Sequence, residues 1–118
     1  IVATNATLDR KGVKNRIKNE KGGLSGKPLF SKSTWVLAHL SERLDNQIPL
    51  IGVGGVSTAT EAYQKILAGA SAVQLYTGLV YHGFSLISEI NKGLSAILSR
   101  ERINHLTDIV GKERHSFL

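Results

Sequence analysis

The sequence predicts an α/β fold of about three parallel strands with outer helices. Short apolar runs of strand length alternate with stretches whose apolar residues recur at helical spacing. The middle run, Leu50-Ile51-Gly52-Val53, is apolar on both faces except where glycine interrupts it, as in a parallel sheet covered on both sides. Right-handed crossovers through the helical stretches then make successive strands parallel.

The chain opens on Ile1-Val2-Ala3, a short strand that turns polar at Thr4-Asn5-Ala6-Thr7. Residues 9–28 form a long connection rich in Lys, Asn and Gly, of a length that is often functional or partly structured. Its segment GGLSGKP supplies free φ angles and then a fixed one. STWVLAHLSERL reads as a helix, with Val36, Leu37, Leu40 and Leu44 as its apolar stripe and Ser33 or Thr34 as its cap. Trp35 is expected to pack inward, and His39 to face solvent or a neighbouring helix. After Pro49 comes the strand 50–53. A second helix covers 59–68, with Ala62, Tyr63, Ile66 and Leu67 inward and Gly69 as its C′ cap. Glu61 and Lys65 read as surface residues with i,i+4 support. ASAVQLYT is the third strand. HGFSLISEINKGLSAILSRE is the longest helix, with Phe84, Ile87, Ile90, Leu94 and Ile97 on one side and Gly93 as a tolerated weak point. A short helix around 104–110 and a polar tail follow. This order suits a doubly wound sheet or part of an eight-stranded barrel.

Composition narrows the chemistry. The 118 residues are 42% hydrophobic, which argues against disorder, and contain no cysteine, which removes disulfides, thiol nucleophiles and thiolate metal ligands. No apolar run approaches the roughly 20 residues that span a bilayer. The first residues lack a basic leader, and Asn5 and Asp9 interrupt what a secretory signal keeps apolar. The net charge of +6 is local. Residues 1–32 hold eight of the fifteen basic residues and two of the nine acids. The basic stretch RKGVKNRIKNEKGG contains no aromatic to stack on a base, so it reads as a solvated loop or a local attractor of anions, and no nucleic-acid partner is expected.

The chemistry concentrates at two strand ends. Gly54-Gly55 closes one strand and Tyr76-Thr77-Gly78 closes the next. Backbone N–H groups at a strand end before a helix can hold a phosphate, glycine lets the backbone approach it, and Thr77 adds a hydroxyl. The pair reads as a two-strand phosphate cradle at the face where barrel enzymes keep their ligands. GVGGV lacks the dinucleotide spacing G-x-G-x-x-G, and no G-x-x-x-x-G-K-[ST] loop occurs. His39, His82, His105 and His115 are scattered, so no metal is expected. His82 stands near the ligand mouth, Asp9-Arg10-Lys11 reads either as part of that mouth or as an ordinary charged loop, and Lys27 follows Gly26 where it can lend positive potential.

ATNATLDR, GGLSGKPL, IPLIGVGGVS and GASAVQLYTGL, in that order, resemble the C-terminal third of dihydroorotate dehydrogenase, most closely its quinone-linked, membrane-associated class. The resemblance runs over essentially the whole chain and implies the C-terminal part of a (β/α)8 TIM barrel that holds FMN at its mouth. It implies that Thr4 lies on the flavin side, that Asn5 and Ala6 contact the pyrimidine, and that Gly26, Gly55, Tyr76 and Thr77 hold FMN, largely at its phosphate. The family usually has Thr after the Asn, and Ala6 removes that hydroxyl. The implied reaction is oxidation of dihydroorotate to orotate, with quinone as acceptor and peripheral association with the inner or cytoplasmic membrane. The serine base and the quinone-binding helices belong to the N-terminal region of the barrel, so no catalytic residue is assigned. Residues 1–118 are thus expected to be one fragment of a single FMN-binding domain, inactive alone, whose partner is the missing part of its own barrel. Another phosphate-binding barrel enzyme and a non-catalytic phospholigand module are the alternatives.

Overall fold

The computed structural model describes residues 1–14, 16 and 19–118. Asn15, Ile17 and Lys18, in the middle of the basic stretch, lie outside the described residues. Three strands, β1 (Val2–Ala3), β2 (Ile51–Val53) and β3 (Ala72–Gln74), form a parallel sheet in that order. Val2 pairs with Ile51, and Gly52 pairs with Ala3 on one side and Val73 on the other. Four helices follow the strands: α1 (Phe30–Leu44), α2 (Ala59–Ala68), α3 (Thr77–His82) and α4 (Ser85–Arg100). The sheet is an open segment of a (β/α) barrel. Both outer strands keep an unpaired edge, and Val2, Tyr76, Val80, Tyr81 and Phe84 stand exposed.

The core lies in two clusters against the sheet. Ala3, Leu37, Ala38, Leu50, Ala68 and Ala70 pack together beside α1. Val56, Ala62, Leu86 and Ile90 pack between α2 and α4. Helix α2 occupies the predicted span, and Gly69 closes it at φ 132°, donating to the Lys65 and Ile66 carbonyls. A Cβ at Gly69 would meet Ser41 Oγ at 2.2 Å, so α1 and α2 approach closely there.

Several expectations change. Ser33 and Thr34 do not cap α1. The helix starts earlier, at Phe30, continuing a 3-10 turn over Lys27–Leu29, and both hydroxyls are buried within its first turns. Each bonds to the Phe30 carbonyl, at 3.0 and 2.7 Å. Trp35 is 47% exposed and stacks on His39 with ring centroids 4.2 Å apart, because Thr34, Leu37, Ala38 and Ser41 form the buried stripe instead. Phe84 and Ile87 face outward, since α4 starts at Ser85 and turns Leu86, Ile90 and Ile97 inward. Gly93 is a contact, not a weak point, as a Cβ there would stand 2.3 Å from Ala59 Cβ. The short helix is a 3-10 turn over Leu106–Ile109, and the polar tail forms another over Arg114–Phe117. That tail docks on the body, with Gly111 N donating to Ile66 O, Glu113 N to Leu67 O, and Arg114 Nη1 to Ser41 O at 2.9 Å.

Candidate functional site

The long connection returns to the sheet because its neck is closed. Thr7 and Leu24 exchange both backbone hydrogen bonds, at 3.0 and 2.7 Å. Arg10 ties the loop across, donating to the carbonyls of Thr7 and Gly22. Asp9 accepts from Lys11 N and lies 3.5 Å from Lys32 Nζ, two contacts that hold its carboxyl below the usual range. The closed neck delivers Ser25 and Gly26 beside the ends of the strands. Ser25 Oγ then meets Thr77 Oγ1 at 2.7 Å, linking this loop to the end of β3.

The result is one cleft of about 910 Å³ at the C-terminal ends of all three strands. Thr4, Asn5, Ala6, Gly26, Gly55, Tyr76 and Thr77 all line it. The two strand ends singled out from the sequence therefore share one cavity with the polar end of β1. Lys27 and His82 line it as well, the latter exposed. Ser25, Ser57, Thr58, Gln74 and Tyr81 are further wall residues that sequence reasoning left unassigned. Ser25 was legible as the hydroxyl preceding Gly26, but nothing local to the sequence pairs it with Thr77.

Each wall has a local cause. Helix α3 begins at Thr77, after only Leu75 and Tyr76 beyond β3, so the amides of Thr77 and Gly78 lie in a first helical turn and have no intrahelical acceptor. Helix α2 consumes donors at its own start. Thr58 Oγ1 accepts from Glu61 N at 3.1 Å, and the Glu61 carboxylate accepts from Ser57 N at 2.7 Å and from Ser57 Oγ at 3.1 Å. Glu61 is thus an N-terminal cap and not an ion-pair partner on the surface. Ser57 N and Ser57 Oγ are thus taken up by Glu61 and are not offered to the cleft.

Gly54-Gly55 has a packing reason beside the expected one. Gly55 has φ 75°, and a Cβ there would lie 2.6 Å from Phe30 N and Cβ. A Cβ at Gly54, with φ 122°, would lie 2.7 Å from Ser33 Oγ. The missing side chains let the start of α1 press against the turn. That packing holds the two-glycine turn in the cleft wall.

At the β1 end, Thr4 N donates to Val53 O at 3.0 Å, while Thr4 Oγ1 is buried in the cleft wall without a hydrogen-bond partner among the described residues. Asn5 Oδ1 accepts from Ala6 N at 2.8 Å, which leaves the side-chain NH2 group as a donor. Thr7 does not stand in for the hydroxyl missing at Ala6. Its Oγ1 accepts from Asp9 N at 3.1 Å, and it is not among the cleft residues. Among the described residues, no group of three or more His, Asp or Glu side chains could hold a metal ion. No helix of the described residues is long and apolar enough to cross a membrane.

Residues 1–98 match the family described as dihydroorotate dehydrogenase. The chain is 54% identical over its full 118 residues to dihydroorotate dehydrogenase (quinone) of Cereibacter sphaeroides, covering 33% of that protein. It is 50% identical over 110 residues to the protein of the same name from Rhizobium meliloti, covering 30% of it. The crystal structure of DHODH in complex with ferulenol from Eimeria tenella superposes with a TM-score of 0.90 at 34% identity, over 95% of this chain and 30% of that one. The ligand-free enzyme of Eimeria tenella gives a TM-score of 0.91 at the same identity, over 95% of this chain and 32% of that one. The chain thus spans about a third of the length of the relatives it matches.

Proposed function

The chain belongs to the dihydroorotate dehydrogenase family, and from that premise we propose that its cleft holds the phosphate end of FMN and one wall of the dihydroorotate pocket. The supporting observation is that the seven residues with implied roles line a single cleft. The donor set fits such a ligand. The first-turn amides of Thr77 and Gly78, the Thr77 hydroxyl and the Gly54-Gly55 turn suit a phosphate. The buried, unpartnered Thr4 Oγ1 is a polar group that a bound ring system would satisfy.

In this reading Gly26, Gly55, Tyr76 and Thr77 hold the phosphate end, and Thr4 faces the ring. Asn5 donates its NH2 group to the pyrimidine, and Ala6 contacts it without a hydrogen bond. When bound, FMN supplies a two-electron acceptor for oxidation of dihydroorotate to orotate. The chain's own part is orientation, fixing the substrate against the ring with amide donors. The proton-abstracting base and the site for quinone belong to the remainder of the barrel, as does peripheral attachment to the inner or cytoplasmic membrane. Residues 1–118 are then the C-terminal part of one FMN-binding domain.

A chimera tests this. The 118 residues replace the matching third of the Cereibacter sphaeroides protein, which supplies the other strands. The purified chimera is expected to carry flavin absorbance and to turn over dihydroorotate with a quinone, whereas the isolated chain binds FMN weakly or not at all. A chimera that melts cooperatively yet holds no flavin overturns the reading.

Ala6→Thr in the chimera is expected to tighten orotate by about three- to tenfold, the worth of one hydrogen bond. Ala6 Cβ already packs close against Gly23, so the added hydroxyl has to extend away from Gly23, into the cleft that Ala6 lines. Titration of orotate against the flavin spectrum checks this, and an unchanged affinity would show that position 6 does not reach the pyrimidine.

A further inference from the structure

Lys65 was expected on the surface, and it is 0% exposed. Lysine is almost never fully buried without a compensating partner. From α2 its side chain runs inward past Gly52, where a Cβ would come within 3.4 Å of Lys65 Cβ. The ammonium ends on α1, donating to Ser33 Oγ at 2.5 Å, with Nζ 4.9 Å from the centroid of the Phe30 ring. Ser33 Oγ in turn lies 3.0 Å from the carbonyls of both Phe30 and Gly54. A hydroxyl has one proton to give, so it donates to one of these at a time while it accepts from Lys65.

Three elements therefore meet at one hydroxyl: α2 through Lys65, α1 through Ser33, and the end of β2 through Gly54. On the far side of the Gly54-Gly55 turn is the cleft. Burial brings the lysine pKa down to about 7, opposed by Glu61 one turn earlier on α2. The groups facing it from α1 and β2, namely Phe30, Ser33, Gly52 and Gly54, carry no charge.

Resting on the FMN reading above, we propose that Lys65 is a positioning residue for the phosphate end of the cleft, fixing the Gly54-Gly55 turn through Ser33 and setting a positive charge behind it. A phosphate in the cleft favours the charged lysine, and the charged lysine favours the phosphate. Its effect is felt by the phosphate and not by the ring.

FMN and riboflavin separate this role from a merely structural one, because riboflavin lacks the phosphate. Their dissociation constants are measured by fluorescence quenching with the chimera. Lys65→Met is expected to weaken FMN about tenfold and riboflavin less than twofold. Ser33→Ala removes the relay and is expected to act in the same direction. The double variant should be no weaker than Lys65→Met, as for two members of one chain of contacts. Should Lys65→Met fail to fold, Ser33→Ala carries the measurement. Equal losses for FMN and riboflavin, or no loss for either, overturn the inference while the FMN reading stands. An unsubstituted chimera that folds but binds riboflavin and FMN equally, or neither, overturns the FMN reading itself and this inference with it.

Discussion

Gly55→Ala is expected to destabilise the chimera by about 2–5 kcal/mol and to abolish FMN retention through purification. Two costs combine. The backbone at Gly55 has φ 75°, a region that costs an L-residue about 1–2 kcal/mol. The new Cβ would also stand 2.6 Å from Phe30 N and Cβ and 2.7 Å from Phe30 Cα. Those atoms are the first residue of α1 and cannot rotate aside, so the helix start or the turn must move, an overpacking cost of about 1–3 kcal/mol. Either displacement changes the cleft wall. Gly12→Ala is the control. It shares a positive φ, 82°, but no atom of the described residues lies within 4 Å of an added Cβ, and it should lose only the conformational part. Urea denaturation of both variants, with absorbance at the flavin band, reads the difference. Equal destabilisation by the two would mean that the contact with α1 does not matter.

The same turn shows which parts of the fold were legible in the sequence. The strand–helix alternation, the span 59–68 and the cap at Gly69 were readable because each rests on local chemistry: apolar spacing, glycine at a helix end, and a buried apolar run. All seven residues assigned to the ligand do line one cleft, but their grouping came from motif order. Neither apolar spacing nor local turn chemistry would have joined residue 26 to residue 77. What local chemistry could not show was contact across elements. Gly54-Gly55 reads as room for a ligand, and the structure shows that it also makes room for α1. Ser33 looked like a cap because caps are hydroxyls, yet its hydroxyl serves a partner 32 residues away. Phe84 and Ile87 looked buried because the stripe was phased from Phe84, one residue before α4 begins. Lys65 was misread for its charge. On a helical projection it falls with Ala62, Ile66 and Ala68 on the inner face, so the period pointed inward while the residue type pointed out.

Lys65→Met is expected to raise stability by about 4 kcal/mol at pH 6, and the gain is expected to vanish near pH 10. The sign follows from proton binding. The folded lysine has a pKa of about 7 and the unfolded one the ordinary 10.5. Between those values the unfolded chain holds a proton that the folded chain has released, so stability rises with pH at up to 1.36 kcal/mol per unit, about 1.4. Below pH 7 both states are charged and the burial penalty is present in full. Methionine has similar length and does not titrate, so it escapes the penalty, less about 1 kcal/mol for the hydrogen bond lost at Ser33. Urea denaturation of the apo chimera from pH 6 to pH 10 measures this, and a gain independent of pH would show that Lys65 is not the titrating group. Taken with the affinity measurement, the outcome separates two kinds of residue. A side chain kept only for packing would lose stability on replacement, whereas here the more stable variant is expected to be the poorer binder of phosphate. A buried charge that costs stability and favours an anion across a single turn is what a positioning role requires.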